Sequence, residues 1–180
     1  MMTMRDLQGL KVACAALAAL ASAGCHDENA NESRLAESRG AWRAMIAAQG
    51  ETYSYEQGSE SWTGYRTHSA VQFEDGAATY RRFESSPGFV DGMLVPLELK
   101  WEERGGEIGT HVEAGPIASV DQMYDQCARD VLTRDPGRNM IELAFDERDL
   151  LQVCSYWQDG CADDCWMGVG ISNLQMGKSY

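Results

Sequence analysis

Four cysteines in the C-terminal third, Cys127, Cys154, Cys161 and Cys165, constrain the fold of this chain more than any other feature of its sequence. In an oxidising compartment they are crosslinks; in a reducing one they are candidate metal ligands. The first 25 residues, MMTMRDLQGLKVACAALAALASAGC, decide between these readings. Arg5 and Lys11 precede an apolar run from Val12 to Ala23, twelve residues long. A spanning helix needs roughly 20 apolar residues, so this run is too short. A basic start, a short apolar middle and a small-residue end make a secretory signal peptide. Exported thiols form disulfides, and the spacing agrees. The only close pair is C-x3-C at 161 and 165, whereas a four-cysteine zinc site carries two C-x2-C-like pairs. Cys127 falls on the core face of a predicted helix that can reach a central strand bearing Cys154. The favoured pairing is therefore 127–154 with 161–165, while 154–161 and 154–165 remain open.

The end of the leader, Ala23-Gly24-Cys25, resembles the bacterial lipoprotein signal. That resemblance implies that Cys25 takes a diacylglycerol through a thioether and that a dedicated peptidase cuts before it, making 1–24 the signal peptide. The alternative is an ordinary cut after Ala23, with Ala21 and Ala23 as an A-x-A site, which gives a soluble secreted or periplasmic protein. Cysteine arithmetic favours the anchor. Six cysteines less Cys14 leave five, and lipidating Cys25 leaves four, an even number that can pair completely. Residues 25–34 are polar, lack apolar periodicity and read as a flexible tether reaching at most ~30 Å. His26 stands where an aspartate would retain such lipoproteins in the inner membrane, so the expected address is the outer membrane of the cell envelope. The expected partners are that membrane, through the lipid on Cys25, and a protein of the envelope.

Residues 35–180 form a single domain. Hydrophobic residues make up 44% of the chain and charged residues 24%, a globular composition that excludes wholesale disorder. Lys and Arg number 15 against 28 Asp and Glu, a net charge of −13 that repels phosphate backbones and excludes nucleic acid as a partner. Leu35, Trp42, Met45 and Ile46 recur at helical spacing up to a stop at Gly50. Tyr53 and Tyr55 then alternate with polar residues. Val71 and Phe73 lead through Asp75-Gly76 to Thr79, Tyr80 and Phe83, a hairpin signal because the turn needs positive φ. Residues 85–96 read as a loop. Leu97–Trp101 alternates strictly, and Gly105-Gly106 is expected to turn it back into a strand over 107–113. Ser119 and Gln122 form a capping box that opens a second helix, with Val120, Met123, Tyr124, Cys127 and Val131 on one face. Ile141–Phe145, Leu150–Trp157 and Trp166–Ser172 make three further strands. With no βαβ rhythm, the fold class is α+β: an antiparallel sheet of hairpins and a C-terminal three-strand meander, with two helices packed on one face.

Candidate sites are few. Asp159, Asp163 and Asp164 sit in the 157–166 turn crosslinked by Cys161 and Cys165 as oxygen donors for calcium, but they do not match the twelve-residue calcium loop and read as a solvated acidic turn. Trp157 and Trp166 offer either a stacking platform or, in the favoured reading, cross-strand core packing. His68 and His111 fall on predicted strands as outward-facing residues. No G-x-S-x-G, S-x-x-K or H-E-x-x-H occurs, so no catalytic residue and no cofactor is assigned.

Tyr53-Ser-Tyr55 after the tryptophan-bearing helix, Val71–Gly76, Ser119–Tyr124 and Ile141–Asp146 together resemble a family of small bacterial envelope lipoproteins known only as a domain of unknown function. The resemblance spans residues 42–172 and implies no activity. The expected function is a lipid-anchored, non-enzymatic binding or structural module. The alternative is a small envelope hydrolase using His68 or His111 with nearby carboxylates.

Overall fold

Strand alternation, one capping box and a few glycine turns account for most elements of the computed structural model, which describes residues 26–90, 93–95, 98–162 and 165–180. The expected signal peptide over 1–24, Cys25, Leu97, Asp163 and Asp164 lie outside the described residues. Helix α1 spans His26–Gln49. Next come β1 (Tyr53–Glu60), β2 (Arg66–Glu74), β3 (Ala77–Ser86), β4 (Gly88–Val90), β5 (Met93–Val95) and β6 (Lys100–Arg104). Helix α2 (Val120–Gln126) continues into a π-helical turn, Cys127–Val131. Strands β7 (Asn139–Phe145), β8 (Leu151–Gln158), β9 (Met167–Gly170) and β10 (Ser172–Met176) follow.

The strands form two antiparallel sheets, β10-β1-β2-β3-β6 and the meander β7-β8-β9, with β4-β5 as a small ribbon. Ile171 alone separates β9 from β10, and its N–H donates to the Gln152 carbonyl (2.8 Å), so one stretch of chain serves both sheets. The fold is α+β with the expected C-terminal meander. Both helices pack on one face of the larger sheet. There Trp42 meets Tyr53 edge-on with ring centroids 5.0 Å apart, and Tyr53 stacks on Phe73 at 5.1 Å. Val120, Met123, Tyr124, Cys127 and Val131, the stripe expected from spacing, are all buried in this core. Ser119 accepts from the Gln122 N–H and Gln122 answers on the Ser119 N–H, the reciprocal pair that fixes where α2 starts. At the β2–β3 turn Asp75 and Gly76 both have positive φ, 50° and 78°, as the Asp-Gly signal requires.

Four expectations change. Residues 26–34 belong to α1 rather than to a flexible tether. His26 to Gln49 holds no proline and a single glycine, Gly40, and Arg34 ties the segment down through Glu37 and Asp149. The loop over 85–96 contains the β4-β5 ribbon. Residues 107–113 are not a strand: two short 3-10 turns, Gly105–Glu107 and Val112–Ala114, replace it. The reason is Glu103, whose carboxylate takes the N–H groups of Gly109 and His111 that a sheet ladder would need. Finally, the closing strand is β10, which pairs with β1 at the start of the domain, a contact between sequence ends that periodicity does not reveal.

Candidate functional site

Antiparallel register puts directly opposed residues on the same side of a sheet, so the two faces of β1-β2-β3-β6 can be read off as rows. The inner face carries Tyr55, Val71, Arg81 and Glu103 in one row, against the helices. The outer face carries Gly58, His68, Glu84 and Lys100 in one row, and Glu56, Ala70, Arg82 and Glu102 in the next.

Over the first outer row lies an open hollow of about 650 Å³, lined by Gly58, Arg66, His68, Glu84, Glu98 and Lys100 among others. Gly58 adds no side chain to the row, and a Cβ there would come within 3.2 Å of the Thr67 carbonyl oxygen. Three contacts around the hollow join its side chains to solvated partners. Lys100 Nζ lies 3.0 Å from Glu84, Arg66 2.8 Å from Glu60, and His68 Nε2 3.3 Å from Glu56. The Lys100 contact holds the Glu84 carboxyl below the usual carboxylate range. Such exposed pairs are weak and exchange readily for a ligand's own charges.

The neighbouring rows are occupied by the chain itself. Gln72, almost fully buried, donates its amide to Glu74 (2.8 Å), which turns its carbonyl oxygen toward the segment after β10. That oxygen accepts the N–H groups of Ser179 (3.0 Å) and Tyr180 (2.9 Å). The Tyr180 ring stacks on Tyr80 at 5.0 Å with the Arg82 guanidinium 5.8 Å from its centroid. Its hydroxyl donates to Glu56 (2.9 Å), which also receives Asn173 (3.1 Å) and faces His68. Burial pushes the Glu56 carboxyl up, but these three donors together bring it below its ordinary value. Burial and the Glu56 charge push the Tyr180 phenol up to about 12. Glu56 therefore joins the hollow, through His68, to the tyrosine site.

On the inner face the second histidine has a different setting. His111 is not on a strand: it stacks on Trp101 with centroids 4.3 Å apart and places Nδ1 3.0 Å from Glu103. Glu103 is fully buried. Burial raises its carboxyl, but the Gly109 and His111 N–H groups, the His111 ring and the Thr110 hydroxyl outweigh this and hold it at about 2. Arg81, opposite in register, donates to the carbonyls of Ala114 and Gly115 (2.8 Å to the latter). These two charges pin the loop between β6 and α2 to the sheet. His68 does lie on a strand facing outward. Each histidine thus has a glutamate, but among the described residues neither has a hydroxyl bonded to its other ring nitrogen, and the Thr110 hydroxyl lies near Nδ1 (3.4 Å), the atom Glu103 already occupies. No nucleophile–base–acid arrangement forms among them.

The cysteines come together as Cys127–Cys154 and Cys161–Cys165, with Cα separations of 5.6 and 6.2 Å inside the range a disulfide spans. Asp159 is exposed, its two partners in the calcium reading lie outside the described residues, and among the described residues no group of three or more potential ligands is placed to hold a metal. Trp157 and Trp166 do not pack as a core pair. Trp166 is 46% exposed and lies over Gly170, because the glycines of β9 leave that side of the strand flat. No described helix is long and apolar enough to cross a membrane.

Reading the sequence missed Glu56, Gln72, Arg81, Glu103 and Tyr180. Arg81 and Glu103 had a signal: each sits in phase with a buried or half-buried aromatic two residues away, Phe83 and Trp101, so alternation alone puts a charge on the core face. Glu56, Gln72 and Tyr180 had none, since their partners are distant in the chain. Compared with known proteins, the chain matches no family model, no curated protein and no solved structure.

Proposed function

We propose that this chain is a lipid-anchored protein of the bacterial envelope, held at the outer membrane through Cys25, that binds a partner on the outer face of its five-stranded sheet and carries out no chemistry of its own. The observation that carries the reading is the open, charge-lined hollow over Gly58, His68, Glu84 and Lys100. Small-molecule clefts of ≈ 300–1,000 Å³ are mostly apolar and enclosing, so an open hollow of this size lined by charges suits the polar surface of a larger partner. Binding is favoured over hydrolysis because, among the described residues, neither histidine has a hydroxyl bonded to the ring nitrogen that its glutamate leaves free. The anchor is supported by pairing: once 127–154 and 161–165 are joined, Cys25 is the one cysteine of the exported chain left for a lipid. With α1 helical from His26, the nine residues before Leu35 hold the domain ~13 Å from the anchor at 1.5 Å per residue, a short stalk in place of a long leash.

The test is expression in a bacterial host with a photo-crosslinking residue at Ser86, on the hollow, or at Glu142, on the other sheet. The expected product starts at Cys25 with acyl mass, fractionates with outer membranes and crosslinks to a discrete species from position 86 only. A chain starting at Gly24 without lipid sinks the anchor. Equal crosslinking from both positions sinks the hollow as the binding site.

A further inference from the structure

We propose that the outer face beside the hollow is a recognition site for a bent polypeptide segment bearing a tyrosine, and that Gly177–Tyr180 is its resident occupant. This rests on the binding reading above and gives the partner a class: protein. The site treats the segment as a ligand. Gln72 is fixed by Glu74 so that one carbonyl oxygen reads two successive backbone N–H groups, which point opposite ways in a strand and converge only where the main chain bends, so the contact reads backbone shape and not side chains. Ser54 donates to the Ser179 hydroxyl at 2.8 Å. Side-chain selection falls to the last position, where Tyr80 and Arg82 take the ring and Glu56 takes the hydroxyl. A phenylalanine fits the ring contacts but leaves the Glu56 oxygen short of a donor, and a lysine or glutamate has no ring for Tyr80. Lys178 adds an ion pair with Glu74. The same glutamate that receives Tyr180 faces His68 in the hollow, so a partner seated in the hollow can continue across Glu56 by displacing the resident segment.

The probe is a labelled peptide, Met-Gly-Lys-Ser-Tyr blocked at both ends, followed by fluorescence anisotropy. A tethered segment competes at an effective concentration of order millimolar, so the intact chain is expected to bind the probe at least ~10-fold more weakly than a chain ending at Met176. Tyr180→Ala in the full chain, which keeps the strand and the segment's backbone, is the second host and is expected to gain binding in the same direction. Exchanging the probe's tyrosine for phenylalanine should weaken it several-fold, and Glu56→Ala in the shortened chain, which removes the acceptor, should close that gap. Two results overturn the proposal: a shortened or Tyr180→Ala chain that keeps its native circular dichroism yet binds no probe up to about 1 mM, or tyrosine, phenylalanine and alanine probes that bind alike. If the probe fails while crosslinks from position 86 persist, this inference alone falls. If crosslinks fail while the probe binds, the hollow and not the tyrosine site is lost.

Discussion

The two faces of the five-stranded sheet use the same residue types to opposite ends. Inside, Arg81 and Glu103 are as buried as Tyr55 and Val71 beside them, and Glu103 is tolerated because backbone and side-chain donors meet its carboxylate. Outside, Glu84 with Lys100 and Arg66 with Glu60 form ion pairs that water shares, and His68 faces Glu56. A buried charge without its partners costs several kcal/mol, whereas an exposed pair contributes about 0–1 kcal/mol. The inner charges are therefore part of the fold and the outer ones are available to a ligand. Two glutamates with histidine neighbours, Glu103 and Glu56, have separate roles for this reason.

The comparison can be tested from both sides. The largest effect is expected at the apolar centre of the inner face, where Trp42→Ala should lower unfolding free energy by about 4 kcal/mol through lost burial and the cavity left against Tyr53, measured by urea denaturation. Glu103→Gln comes next. A carboxyl held at about 2 against an ordinary 4.5 contributes about 3 kcal/mol of stability. Its folded value is depressed, so this contribution is fully present above pH 4.5 and is lost as pH falls toward 2. The variant should be about 3 kcal/mol less stable at pH 7 and should lack that acid limb. A variant as stable as the parent at pH 7, with the same acid limb, would remove the distinction between the faces. The smallest effect belongs outside: Lys100→Ala should change stability by less than about 0.5 kcal/mol while reducing crosslinking from position 86. A loss of 2 kcal/mol or more would make Lys100 structural and the outer face no freer than the inner one.

Much of the fold was legible in the sequence where the signal is local. The Asp75-Gly76 turn, the Ser119–Gln122 box and the buried stripe from Val120 to Val131 each depend on residues within a turn or two of one another, and all appear as expected. The expected strand over 107–113 failed for a tertiary reason. Gly105-Gly106 is a fair hairpin turn, but a glutamate on the core face captured the N–H groups that the strand would have used. The core pairing of Trp157 and Trp166 failed because β-propensity says nothing about which side of a sheet another layer covers. The candidate site was half legible: His68 was named, but its partner Glu56 and the occupant Tyr180 are brought together only by the pairing of β10 with β1.

By itself the sequence determined the local elements, the α+β class and the antiparallel meander, because hydrophobic period, caps and turn residues act over a few positions along the chain. Tertiary structure alone decided which strands became neighbours, which charges were buried and where the outer face was left open. Those outcomes depend on contacts such as Ser54 with Ser179 and Arg81 with Gly115, between residues that no local pattern connects.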